Sequence, residues 1–140
     1  MAFVLDASVT MRWLTKDGSL ADLAYANFIL DKFLDPDLQV YVPSHWPLEV
    51  TNVMLRAIRL GHVDGATSET FLETINLAPL IIDLETAGYA FTSTLNLARH
   101  YRLTPYDAAY LELALRLDCP LATVDKDLRS AAEKAGLKVL

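Results

Sequence analysis

Four acids in this chain, Asp6, Glu49, Asp107 and Asp125, stand where carboxylates could do joint chemistry. Asp6 ends the apolar run Phe3-Val4-Leu5 and is followed by Ala7-Ser8. Asp125 follows the run from Pro120 to Val124 in the same way. Glu49 and Asp107 fall in the first turns of helix-like stretches that open at Ser44 and Thr104. Carboxylates brought together repel one another, so some must hold a proton or share a cation. Mg²⁺ and Mn²⁺ suit such oxygen donors, with water or phosphate completing the shell. A site of that kind fits phosphodiester hydrolysis, in which the ion activates water, orients the phosphate and offsets charge on both oxygens. Each acid also has a local account. Asp6 and Asp125 fit helix N-caps, Asp107 fits a capping box with Thr104, and first-turn acids gain roughly 0.3–1 kcal/mol from the helix dipole. The set, more than any one member, points to a shared site.

Other chemistry lacks its parts. The five glycines form neither a phosphate loop nor a dinucleotide fingerprint, and there is no HExxH, CxxC or GxSxG. His45, His62 and His100 lie apart without ligand spacing and read as surface or structural residues. The single cysteine, Cys119, reads as core and fits a reducing compartment.

The elements that must position the acids alternate between strand and helix. Phe3–Leu5 reads as a buried strand, with helical spacing resuming at Val9, Trp13 and Leu14. Ser19 caps a helix that runs to about Leu34 and ends at Asp35-Pro36-Asp37. Gln39–Pro43 is a strand, after which Ser44 caps a long helix that tolerates Pro47 in its first turn and stops near Gly61. A further helix spans about Thr67–Ala78, and Leu80–Asp83 is a strand. Thr86–Tyr101 is helical, with Ala87, Ala90, Phe91, Leu95 and Ala98 on one face. Thr104-Pro105-Tyr106-Asp107 opens a helix to about Leu117. Pro120–Val124 is a strand, Asp125-Lys126-Asp127 starts a helix that ends at Gly136, and Leu137–Leu140 is a last short strand.

Such alternation reads as α/β with a largely parallel sheet. Right-handed crossovers put the carboxyl ends of parallel strands, and the starts of the helices that follow, on one edge. That edge gathers Asp6, Glu49 and Asp125. Asp107 does not follow from topology, because no clear strand precedes it.

The 140 residues read as a single domain spanning 1–140, and 53% hydrophobic content suits a core covered on both faces. No apolar run reaches the ~18 residues of a membrane span and no leader opens the chain, so the reading is cytoplasmic with no membrane partner. A formal net charge of −6 argues against a general polyanion binder, except where bound ions cancel clustered acids.

Four stretches taken together carry a family resemblance. They are Asp6-Ala7-Ser8 after a strand, Glu49 with Asn52, Asp107-Ala108 opening a helix, and Thr123-Val124-Asp125 with Asp127. Over essentially the whole chain this layout resembles a PIN domain, and most of all the VapC-type ribonuclease toxins of toxin–antitoxin pairs. The resemblance implies a three-layer α/β/α fold with a parallel sheet of about five strands in the order 3-2-1-4-5. It implies a Mg²⁺- or Mn²⁺-dependent endoribonuclease acting on RNA, with Asp6, Glu49, Asp107 and Asp125 as catalytic and metal-binding acids. Ser8, Asn52 and Thr123 match supporting polar positions, and Asp127 is either a fifth acid of the site or a first-turn acid. A homodimer and a VapB-type antitoxin that reaches into the cleft are implied too. Trp13, Tyr25, Phe28, Phe33 and Trp46 offer aromatic material for a partner groove, although core packing accounts for them more simply. Arg12, Lys16, Arg56, Arg59, Arg99 and Arg102 are the cations considered for RNA phosphates; a solvated helix face is the simpler account of each. The rival readings are a non-catalytic PIN-like scaffold that binds RNA or protein, and a PIN nuclease of RNA processing outside a toxin pair. A receiver domain would want an acid pair after the first strand, and a haloacid-type phosphatase a second Asp where Ser8 stands.

Overall fold

The computed structural model describes residues 1–140. Its sheet forms where the apolar runs fall: β1 (Ala2–Leu5), β2 (Gln39–Pro43), β3 (Leu80–Asp83) and β4 (Leu121–Ala122), hydrogen-bonded in the order β3-β2-β1-β4 with every pair parallel. The strands pair with Val4 beside Tyr41 and Leu121, and Pro43 beside Asp83. Val4, Leu5, Val40, Val42, Leu121 and Ala122 are all buried, as consecutive residues must be when both sheet faces are covered by helices. The helices are α1 (Ala7–Thr15), α2 (Leu20–Phe33), α3 (Trp46–Arg59), α4 (Gly65–Leu77), α5 (Leu95–Tyr101), α6 (Pro105–Leu117) and α7 (Lys126–Lys134). The architecture is three-layer α/β/α.

The sheet has four strands where five were expected. Leu137–Leu140 contributes one isolated parallel bridge, Leu121 to Val139, held by Leu121 N–H to Lys138 O and Leu140 N–H to Leu121 O, both 3.0 Å. Its neighbour β4 is only two residues long and cannot template a ladder. β4 stops short of Val124 because side chains take the backbone groups that would continue it. Val124 N–H donates to Ser8 Oγ, Thr123 N–H to the Tyr25 hydroxyl, and Thr123 O accepts from Arg129 Nη2.

Helix starts follow local chemistry in most places. The Ser19, Thr104 and Asp125 side chains accept from the N–H groups of Asp22, Asp107 and Leu128. Ser44 does not cap α3: His45 takes that position in helical conformation, and Ser44 N–H donates instead to Thr86 Oγ1 at 3.0 Å. α4 starts two residues early because Asp64 caps it through Thr67 N–H. Thr86–Tyr101 is helical but broken into a 3₁₀ turn (Thr86–Tyr89), a π turn (Ala90–Thr94) and α5. The extra residue of a π turn rotates everything after it out of α-helical phase. The expected apolar face is therefore lost: Phe91 is 90% exposed and Leu95 40%, whereas Thr94 is buried.

α6 is the central helix, buried from Ala108 through Ala114. The one buried acid in that stretch, Glu112, is 4% exposed and needs a partner. Arg116, one turn on, supplies it: Nε donates to Glu112 Oε1 at 2.7 Å and Nη2 to Asp83 Oδ2 at 2.8 Å. The same guanidinium reaches Glu85 at 3.2 Å and lies over the Tyr89 ring. The cluster ties α6 to the end of β3 and to the 3₁₀ turn. Removing one partner of a buried pair strands the other charge, so Arg116→Ala is expected to cost about 3–5 kcal/mol in urea unfolding. A double change, Glu112→Leu with Arg116→Met, should recover part of that loss.

Candidate active site

β1 ends at Leu5, and Asp6 N–H still extends the sheet by donating to Ala122 O at 3.0 Å. The Asp6 side chain then turns inward and is 3% exposed. It does not cap α1. Instead, Asp6 Oδ2 accepts from Ser8 Oγ at 2.5 Å and from Thr123 Oγ1 at 2.7 Å. Both hydroxyls are fixed in turn, Ser8 Oγ accepting from Val124 N–H at 3.2 Å and Thr123 Oγ1 from Asp125 N–H at 3.0 Å. The hydroxyls must therefore point their protons at Asp6, and Oδ1 is left without a protein donor.

The other acids arrive from three further elements. Glu49 comes from the first turn of α3, Asp107 from the first turn of α6, and Asp125 from the cap of α7. One cavity of about 250 Å³ is lined by Asp6, Ser8, Glu49, Asn52, Asp107 and Asp125 together. Topology left Asp107 open; α6, threaded through the core beside β1, β2 and β4, delivers it. Asp127 lies elsewhere, exposed on α7 and facing a neighbouring groove, so it is not brought to the cleft.

Two residues that the sequence does not mark as functional stand in direct contact with these acids. The hydroxyl of Tyr110, fully buried, donates to Glu49 Oε1 at 2.8 Å. His45 Nε2 lies 2.8 Å from the same oxygen, out of line for a good hydrogen bond, with its ring edge-on to Tyr110. Tyr25 and Arg129 act one step further out, bonding the backbone of Thr123. The available signal was helical spacing. His45 is four residues before Glu49, and Tyr110 three after Asp107, so each shares a helix face with an acid.

No lysine or arginine comes within ion-pair distance of any of the four acids; His45 is the one basic contact. Burial pushes the Asp6 carboxyl up to about 6, opposed by the Ser8 and Thr123 hydroxyls and reinforced by Asp107 and Glu49. Asp107 is also raised, by burial first and then by Asp125 and Glu49. Burial pushes the Tyr110 hydroxyl far up, so it stays a proton donor to Glu49. The cleft thus has oxygen donors, excess negative charge and an open interior. No three of its acidic side chains stand close enough to hold one ion between them. A small hard cation would take one or two carboxylates directly and fill its remaining positions with water, which is how Mg²⁺ usually binds.

The family model for the PIN domain matches residues 3–134. The chain belongs to the PIN domain family. PIN domains are in general metal-dependent nucleases. Among solved structures, the chain is similar to PAE2754 from Pyrobaculum aerophilum, with a TM-score of 0.65 and 23% identity over 94% of this chain and 87% of that one. It is also similar to FitAcB from Neisseria gonorrhoeae, with a TM-score of 0.59 and 17% identity over 99% and 96% of the two chains. These likenesses establish the fold. No curated protein matches the sequence.

The raised Asp6 value has a testable sign in this PIN domain. A carboxyl near 6 when folded and near 3.8 ordinarily binds an extra proton in the folded state between those values. Its contribution to stability is therefore lost as pH rises from about 4 to 6. In EDTA, Asp6→Asn is expected to flatten that fall and to raise the melting midpoint at pH 7 above the wild type's. Melts at several pH values in that window check it.

Proposed function

We propose that this PIN domain, acting as one unit over residues 1–140, is a Mg²⁺- or Mn²⁺-dependent endoribonuclease and the toxin of a toxin–antitoxin pair. The observation that carries the catalytic reading is the cleft. Four carboxylates from four separate elements line one cavity, and no lysine or arginine pairs with any of them. Asp6, Glu49, Asp107 and Asp125 would hold the ion or ions, with Asn52 beside them. A bound divalent cation lowers the pKa of a coordinated water and stabilises charge on the phosphate oxygens. The protein's part is positioning. Ser8 and Thr123 hold Asp6 through one oxygen and leave the other for the cleft. Tyr110 orients Glu49 through its hydrogen bond, as outer partners do for carboxylate ligands, and the His45 ring stands beside the same oxygen.

The toxin reading rests on the chain-long resemblance to VapC-type proteins and on a second groove. A cavity of about 370 Å³ opens between α1, α2 and α4, lined by Trp13, Lys16, Leu30 and Phe71 among others. Its lining is half apolar, with Lys16 and three threonines beside the apolar residues, a mixture that a partner's amphipathic segment would use, and we assign it to a VapB-type antitoxin. Of the other aromatic residues, Trp46 and Phe33 are buried in the core and Phe28 is exposed. We further propose a cytoplasmic homodimer; no helix is long and apolar enough to cross a membrane.

The test is cleavage of total and synthetic RNA by the purified protein, free of partner, with Mg²⁺, with Mn²⁺ and with EDTA. Metal-dependent cleavage is expected. Asp6→Asn, Glu49→Gln, Asp107→Asn and Asp125→Asn should each abolish most of it, and Ser8→Ala, Thr123→Val or Tyr110→Phe should lower it or the metal affinity about 10–100-fold. Absence of both cleavage and calorimetric metal binding would replace the nuclease with a binding scaffold.

A further inference from the structure

A groove of about 560 Å³, larger than the carboxylate cleft, is lined by residues that flank two of the cleft acids in sequence. One wall is the end of α5 and the residue after it, His100, Tyr101 and Arg102; the other is α7, through Asp127, Ser130 and Lys134. Each wall lies close in sequence to an acid of the cleft. Arg102 lies five residues before Asp107, and α7 runs from Asp125 past Asp127 to Lys134. The segment just before α6, which carries Asp107, and α7, which Asp125 caps, thus form the two walls of this groove. We propose that a single RNA strand leaves the cleft along it, its phosphates held by Arg102 and Lys134 from opposite walls. The proposal rests on the nuclease reading above and adds a path for the substrate.

The charge pattern supports a strand. In a chain of net charge −6, the ion pairs engage Arg12, His45 and Arg116, and neither Arg102 nor Lys134 has a carboxylate within reach. Asp127 in the same wall disfavours a compact anion, whereas phosphates spaced along a chain can pass on either side of it. From Asp125 to Lys134 α7 covers about 14 Å, enough for a few nucleotides. His100 is exposed and stands edge-on to Tyr101 at 4.6 Å, so its outer face is open to a base. Arg102 sits at φ +54°, the left-handed position after α5 that favours glycine. Lys16 and Asp118 share that conformation, so the strain does not mark a site by itself. It does provide a clean variant, because Arg102→Gly removes the cation while relieving the backbone.

The test measures binding of a labelled 12-nucleotide single-stranded RNA by anisotropy, in the Asp6→Asn background with Mg²⁺ so that the RNA stays intact. Arg102→Gly and Lys134→Ala are each expected to weaken binding about tenfold and to lower the salt slope by about one. Arg102→Lys should keep most of the affinity. The melting midpoint of Arg102→Gly should equal or exceed its parent's, which separates lost contact from lost fold. Unchanged affinity and slope in both variants, or no RNA binding by the parent, would overturn the path and leave the groove to an acidic protein segment. Cleavage by the wild type is scored separately with Mg²⁺ or Mn²⁺. Its absence together with absent metal binding would remove the nuclease reading, while the anisotropy still decides whether RNA lies in the groove.

Discussion

The Asp6 carboxylate is held inside the protein with two hydroxyls and no cation beside it, and much of the fold around β1 and β4 is arranged to tolerate that. The hydroxyls are useful only if their protons face Asp6, and backbone N–H groups of Val124 and Asp125 enforce this by occupying their lone pairs. Those N–H groups are then lost to the sheet, so β4 ends after Ala122 and its outer neighbour shrinks to one bridge. A buried polar group demands partners, and here the demand of one side chain sets the length of a strand.

A second cluster of acids in the same chain is neutralised from within. Asp83, Glu85 and Glu112 also converge, and Arg116 enters among them with hydrogen bonds to all three. Asp6, Glu49, Asp107 and Asp125 are left with His45 alone. Both clusters border α6, one near each end. The neutralised one fixes the helix against β3; the other leaves repulsion unrelieved, which destabilises the protein by itself and favours any cation that enters. The contrast between the two clusters, rather than the number of acids in either, supports the proposal that the unneutralised one is a binding cleft.

Local sequence determined a great deal. Apolar runs placed all four strands, and side-chain oxygens at Ser19, Thr104 and Asp125 placed three helix starts, because a cap is decided within four residues. Strand–helix alternation and crossover handedness were enough to bring Asp6, Glu49 and Asp125 to one sheet edge. The resemblance of four short stretches added Asp107 and the supporting roles of Ser8, Asn52 and Thr123, and the cavity does contain Asn52 and Ser8 with all four acids.

Only the tertiary structure decided the rest, for reasons of range and phase. Tyr110 reaches Glu49 across 61 residues of sequence, and Tyr25 reaches Thr123 across 98, so no local pattern announces either contact. The π turn at Ala90–Thr94 shifted a helical face that periodicity had assigned to the core, since one inserted residue rotates every later side chain. Asp127 parted from Asp125 because two residues along a helix turn a side chain to another face, there toward a groove the sequence did not reveal. Sequence named the acids; the threading of α6 through the core and the hydroxyl clamp on Asp6 decided which of them meet, and with what around them.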